Sequence, residues 1–477
     1  MKALSIVKAA LGSGAAILLA GLLAAAPAAQ ASAGVTVPCS SGSAGLIAAI
    51  SAANSTGGGT ISLVSGCNYA LGSADNGENG LPVVMSRIAL NGNGATISGN
   101  NTDFRIFEVD GPGGSLALQN VTITGGSATD FGGGIFNSGG TVTLNHSLVT
   151  GNSAGMGGGG IASGTFGPST GSLTLNNSQV TKNTSGVGGG IVNNLGTATL
   201  NSSQVNGNRA GGFAGGGIAT GNYSGGSGTS SLTLNSSQVN GNIAPNAGGG
   251  GIQNLAGTVT LNSSQVNGNS SLNGGGIASG NGNGGVPPGT SQLTLNKSQV
   301  DGNTATAPVP QPGNGPPIAA GGIANGGNAV LNSTEVDGNT ATSTSGAGIV
   351  NHGSMTINKS KVDNNSASGS GTAASGGGIV NANTGAPNSG VLTINNSEVN
   401  SNSAAGVGGG ILNGLPSMPS LPPARVTVNH SQVNGNTATE GGGIYNVGGM
   451  VTLASTSVTG NHVHNCFPLN SISGCTN

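Results

Sequence analysis

Residues 173–192 read LTLNNSQVTKNTSGVGGGIV, and the period of that stretch decides the fold. In Leu173-Thr174-Leu175 the leucines point one way and the threonine the other, the alternation of a strand. In Ser178-Gln179-Val180 the Ser and Val share a face and Gln179 takes the opposite one. Leu175 and Val180 are five positions apart, so one straight strand cannot turn both inward, and the chain must bend near Asn176-Asn177. Gly188 to Val192 then supplies a third short segment with Ile191 inward. Three short strands and three bends in about 25 residues make one coil of a β-helix. Gly and Asn at this density are poor helix formers, which excludes a helical solenoid.

The pattern recurs outward from this stretch. The Ile after the glycines occurs at 135, 161, 191, 218, 252, 277, 323, 349, 379, 411 and 444. The central apolar residue of the other half is Leu144, Leu175, Leu200, Leu234, Leu261, Leu295, Leu331, Ile357, Ile394, Val428 and Leu453. Repeats of this period stack as a solenoid. The expected fold is therefore all-β: a right-handed, single-stranded parallel β-helix with three strands per coil and eleven regular coils over residues 130–461.

Stacked coils lie about 4.8 Å apart, so each position becomes a column. Three residues after each inward Val stands an Asn in all eleven copies, from Asn152 and Asn183 to Asn436 and Asn461. One residue after each central apolar the column is Asn from Asn145 to Asn429, ending at Ala454. Both read as amide ladders, since stacked amides donate and accept along a column and Asn tolerates the left-handed backbone of a tight turn. Insertions at 163–171, 220–230, 279–290, 382–389 and 413–424, and a Pro-rich one at 304–319, should project from one edge, where repeat proteins carry recognition.

The ends read differently. Lys2 and Lys8, an apolar run from Ala9 to Ala26, and small residues around Ala31 and Ala33 form an export signal over residues 1–33, cleaved near Ala31 or Ala33. No later segment is apolar long enough to span a bilayer. Residues 34–129 hold an N-terminal cap and irregular first coils. Leu46, Ile47 and Ile50 lie at helical spacing within Ser43–Asn54, a short helix covering the first coil's strand edges. Early strands are expected at Thr60–Val64, Arg87–Leu90, Ala95–Ile97, Ile106–Val109 and Leu116–Ile123. The tail, 462–477, is the second cap. In an exported chain, four cysteines in two separated pairs predict disulfides Cys39–Cys67 and Cys466–Cys475.

Composition narrows the function. Gly supplies 96 of 477 residues, only 22 are Asp, Glu, Lys or Arg, and the net charge is −2. Without a basic patch nucleic acid is excluded, because phosphate neutralisation supplies that affinity.

The glycine-plus-Ile unit alternating with a strand and an Asn turn resembles the repeats of polymorphic outer-membrane proteins. Their repeats usually carry a Phe-x-x-Asn unit, whose counterpart here begins with Ser. The leader is still more similar to secreted right-handed β-helix repeat proteins of bacteria. These commonly run through stretches like Leu81-Pro82-Val83-Val84, then Ile88 to Ile97, Phe104 to Val109, Leu116 to Gly126 and the Gly-Gly-Gly-Ile-Phe-Asn of 132–137. The resemblance spans roughly residues 35–465 and implies the fold; most such proteins have no assigned reaction.

The same superfold hosts pectate lyases and polygalacturonases, so clustered carboxylates matter. Such enzymes use them for acid/base work or calcium. One column offers them: Asp301, Asp337 and Asp363, one residue after the inward Val in three consecutive copies, where other copies have Asn or Thr. Lys297, Lys359 and Lys361 lie nearby, but no Arg falls in that stretch; Arg209 and Arg425 are several coils away. The column reads as drift between Asn and Asp on a solvated face. Glu335, Lys361 and Glu398, in a mostly Gln column, suit cross-coil ion pairs. The histidines 146, 352, 430, 462 and 464 are scattered. Gly-Gly-Gly followed by Ile, not Asp, rejects the calcium-binding nonapeptide. Thr143, Thr174, Thr199, Thr233, Thr260 and Thr294 form an outward column that raises ice or crystal-surface binding as an alternative. The expectation is a secreted, non-enzymatic structural, adhesive or carbohydrate-binding protein, with a glycan or cell-surface ligand as partner. It is expected to be monomeric, without metal or cofactor; a polysaccharide lyase or glycoside hydrolase is the alternative.

Overall fold

The alternation around Leu173 becomes a strand over Ser172–Asn176. It pairs in parallel with Thr141–Asn145 in the coil before and Thr197–Asn201 in the coil after, so Leu175 lies between Leu144 and Leu200. The protein is described by a computed structural model that covers residues 34–477 apart from 102, 165–169, 224–227, 281–289, 307–318, 343–345, 370–373, 386–388 and 417–421. Over these residues the chain is an all-β parallel β-helix preceded by one α-helix. All eleven leucine-type strands stack in unbroken register, Leu200 beside Leu234 among them. The residues expected to form an export signal, 1–33, lie outside the described residues, as do parts of the insertions expected to carry recognition. Among the described residues no helix is long and apolar enough to cross a membrane.

The inward residues Leu173, Leu175, Val180 and Ile191 are fully buried, as are their equivalents along the stack up to the last coil, where Val451 and Leu453 are partly exposed. Burying each side chain of this size stabilises the fold by about 1.5–3 kcal/mol. The bend between the leucine and valine segments sits where expected, but the left-handed residue is the one after the ladder Asn: Asn177, Ser202 and Ser236 have φ of 48°, 47° and 48°. Before the second ladder the left-handed residue is likewise a neighbour, Lys182 or Gly207. The ladder asparagines are thus kept for hydrogen bonding and not for tolerating the turn. In the glycine run, Gly188 has φ of +58°. A Cβ at Gly190 would stand 2.8 Å from the Gly217 carbonyl and 2.9 Å from the Asn208 amide, so only glycine lets the coils approach there.

Three strands per coil was an undercount. Thr184–Val187 is a fourth segment, part of a ten-stranded sheet of its own. Its column holds Ala154, Ser185, Ala210, Ala244 and Ala305, side chains too small to give a hydrophobic period. The leucine and valine segments belong to one bent sheet, because the early coils pass through the bend in continuous strands, Arg87–Ser98 and Ser115–Thr124. The break expected between Leu90 and Ala95 is therefore a register shift between Asn91 and Ala95 rather than an interruption. On the Ile strands the outer side is covered too: Val350, Val380 and Leu412 pack with Val407 and Leu415.

The N-terminal helix runs Gly42–Ser55 and buries Leu46, Ala49, Ile50 and Ala53. Cys39 before it is bonded to Cys67. At the other end Cys466-Phe467 adds a last strand beside Ile444–Asn446, Phe467 stacks on Tyr445, and Cys466 is bonded to Cys475.

Candidate functional site

Asp301, Asp337 and Asp363 stack on consecutive coils. What they do there is set by the column they continue. The Asn240 N–H donates to Asn206 Oδ1 at 2.9 Å and the Asn267 N–H to Asn240 Oδ1 at 3.0 Å. The Asp337 N–H donates in the same way to Asp301 Oδ1 at 3.1 Å, and the Asn400 N–H to Asp363 Oδ1 at 2.9 Å. From coil to coil the column uses only the side-chain oxygen, which Asp and Asn share, while the Nδ2 groups of Asn206 and Asn434 donate within their own coils to Gln204 and Gln432. Charge is the difference. Burial pushes the Asp301 carboxyl up to about 6, against the hydrogen bond from Asp337, with Glu335 and Asp337 adding repulsion. Burial likewise raises Asp363, opposed by the Asn400 N–H; Glu398 adds to the rise and Lys361 opposes it.

Beside this column runs an open groove of about 390 Å³. Gln265, Gln299, Glu335 and Lys361 form one wall; Ser263, Lys297, Ser333 and Lys359, at the bend, form the other. None of the three aspartates lines it. The carboxylates therefore do not converge where an extended ligand would lie. Of the ion pairs expected in the glutamine column, Lys361–Glu398 forms at 3.6 Å. Glu335 instead accepts the Gln299 amide at 3.2 Å.

The two asparagine ladders are present and run in opposite senses. Asn183 Nδ2 donates forward to Asn208 Oδ1 at 3.0 Å and back to the Val149 carbonyl at 3.1 Å, while Asn208 Oδ1 also accepts the Asn183 N–H. Each asparagine from Asn152 to Asn436 in this fully buried ladder thus joins three coils. In the half-buried ladder Asn201 Nδ2 donates backward to Asn176 Oδ1 at 2.8 Å. A third ladder was missed: Asn325, Asn351, Asn381 and Asn413 donate in turn along the stack, ending on Asn446, two residues after each Ile. In the earlier coils Ser163, Thr220 and Ser279 alternate with Asn there, which hid the period.

The outward Thr column is longer than first counted. It continues in register through Thr356, Thr393, Thr427 and Thr452, broken only at Val330. Two residues before it stand Thr141, Ser172, Thr197, Ser231 and Thr258, giving paired hydroxyls on five consecutive coils.

A second charged cluster carried no signal beyond single residues. Arg105, almost fully buried, donates to Glu78, Glu108, Asp130, the Asn79 side chain and the Phe131 carbonyl, with its guanidinium 5.1 Å from the Phe136 ring centre. All five of its N–H groups are used, which marks it as an internal tie. The histidines remain dispersed, and burial lowers His352 to about 4. Among the described residues no group of three or more His, Cys, Asp or Glu is placed to hold a metal ion. No protein-family model, curated protein or solved structure matches the chain.

Proposed function

We propose that this chain is an exported, non-catalytic β-helix that binds carbohydrate or a comparable polar surface through the flat outer face of its leucine strands, and that it works as a monomer. The observation carrying this reading is the face itself. From 141 to 296 its three columns are Thr, Ser, Gln and Asn, in register and without a charge. Hydroxyls and amides that repeat at about 4.8 Å offer many weak hydrogen bonds to a polymer with repeating hydroxyls. They offer no acid, base or nucleophile of shifted pKa. In the acidic column, the one arrangement that suits a lyase or hydrolase, Asp301 and Asp363 accept backbone N–H groups and Asp337 accepts the Asn364 side-chain amide.

The test is a glycan-array and insoluble-polysaccharide binding screen, run with a Thr199→Lys/Thr233→Lys variant. Two outward lysines crowd the face without touching the core. The expected result is binding to at least one polysaccharide that the variant loses while keeping its β-rich circular dichroism. Retention of all binding by the folded variant, or no binding by the original chain, would overturn the reading.

A further inference from the structure

We infer that the groove between the bend column and the glutamine column is a seat for the carboxylates of an acidic polysaccharide. The inference rests on the carbohydrate-binding reading and names a ligand class for a second place on the same molecule.

Charge is scarce here and it is concentrated. Eight of the chain's 22 charged residues fall between Lys297 and Glu398. Three of them, Lys297, Lys359 and Lys361, line the groove, against one carboxylate, Glu335. Lys361 is held by Glu398 and Glu335 takes a hydrogen bond from Gln299. Lys297 and Lys359 have no carboxylate within ion-pair distance among the described residues.

Their position is also unusual. Both have φ of 50°, in a column that is otherwise His, Asn or Ser. The bend imposes that backbone on every coil, and neither lysine ammonium has an ion-pair partner among the described residues.

The groove's shape selects the ligand. It crosses four successive coils, from Ser263 to Lys361, or about 14 Å along the stack. The two free lysines are two coils apart, about 10 Å at the backbone. An extended chain with repeated carboxylates meets both; a compact anion fills one end. Gln265 donates to Gln299 and so on to Glu335, leaving a wall of amides for neighbouring hydroxyls.

Titration calorimetry of the full chain tests this with an oligogalacturonate and the same oligomer fully methyl-esterified, which keeps the shape and removes the charge. The variant is Lys297→Ser/Lys359→Ser, since Ser already occupies that column in five coils. Two exposed ion pairs predict an affinity about tenfold lower for the esterified oligomer, and an equal loss for the charged oligomer in the double variant. The variant should bind both oligomers alike. Equal affinity for the two oligomers, or a double variant that binds the charged one unchanged, would overturn the inference and leave carbohydrate binding standing. No binding of either oligomer would overturn it as well, and the Thr199/Thr233 screen then decides the broader reading by itself.

Discussion

The coils before residue 131 and those after it solve the same problem with different chemistry. In the early coils three turns of chain are tied by a single charged knot, Arg105 with Glu78, Glu108 and Asp130, supported by the helix and the Cys39–Cys67 bond. In the later coils the tie is a neutral amide, repeated at every turn from Asn152 to Asn461. A knot fails all at once, whereas a ladder loses one rung. Because each coil touches only its neighbours, damage should remain local in both regions.

Arg105→Ala gives the largest expected effect. It strands three carboxylates around a buried site, and losing one partner of such a cluster costs about 3–5 kcal/mol, toward the lower figure here because Glu78 and Asp130 are partly solvated. Hydrogen exchange should rise over residues 58–145 and stay unchanged beyond 300. Exchange that rises uniformly would mean that the two regions unfold as one. Next is Asn208→Ala. It leaves the Asn183 N–H without an acceptor and its Nδ2 with the Val149 carbonyl alone, at about 1–3 kcal/mol in all. Asn201→Ala, in the half-buried ladder, should cost about 1 kcal/mol or less, because water reaches the groups left behind. Denaturant midpoints for the pair measure the difference; equal losses would show that burial does not separate the ladders.

The smallest effect has the opposite sign. The Asp301 carboxyl holds its proton up to about pH 6 in the folded chain, above its ordinary value of 3.8. The folded state therefore binds more protons than the unfolded state between those values, and stability falls as pH rises from about 4 to about 6. Asp301→Asn keeps the oxygen that accepts the Asp337 N–H and removes the charge. It should stabilise by up to about 1 kcal/mol at pH 7, a figure reduced for partial solvent screening, and by nothing at pH 4. Thermal melts at the two pH values check it. A destabilised variant at pH 7 would mean that the charge is used.

The same contrast explains what could be read from sequence. Leu175, Val180, Ile191 and Asn183 recur at fixed spacing, so the coil, its core and two of its ladders were legible. The alanine segment was not, because small side chains leave no period. The third ladder was obscured where Ser and Thr take the place of Asn. The knot at Arg105 occurs once, and its members lie 25–27 residues apart across coils without a repeat to align them. The acidic column was visible as residues, and its use as an acceptor ladder follows only from the backbone geometry around Asp301 and Asp363. The groove was invisible because its walls come from four different coils.

The central claim is that the acidic column is part of the scaffold and not of a catalytic site. The direct measurement is turnover of polygalacturonate, with and without calcium, by the original chain and by an Asp301→Asn/Asp337→Asn/Asp363→Asn variant, together with their melting temperatures. The account predicts no turnover by either protein and a variant that melts at the same or a higher temperature at pH 7. Turnover by the original chain that disappears in a folded variant would contradict it.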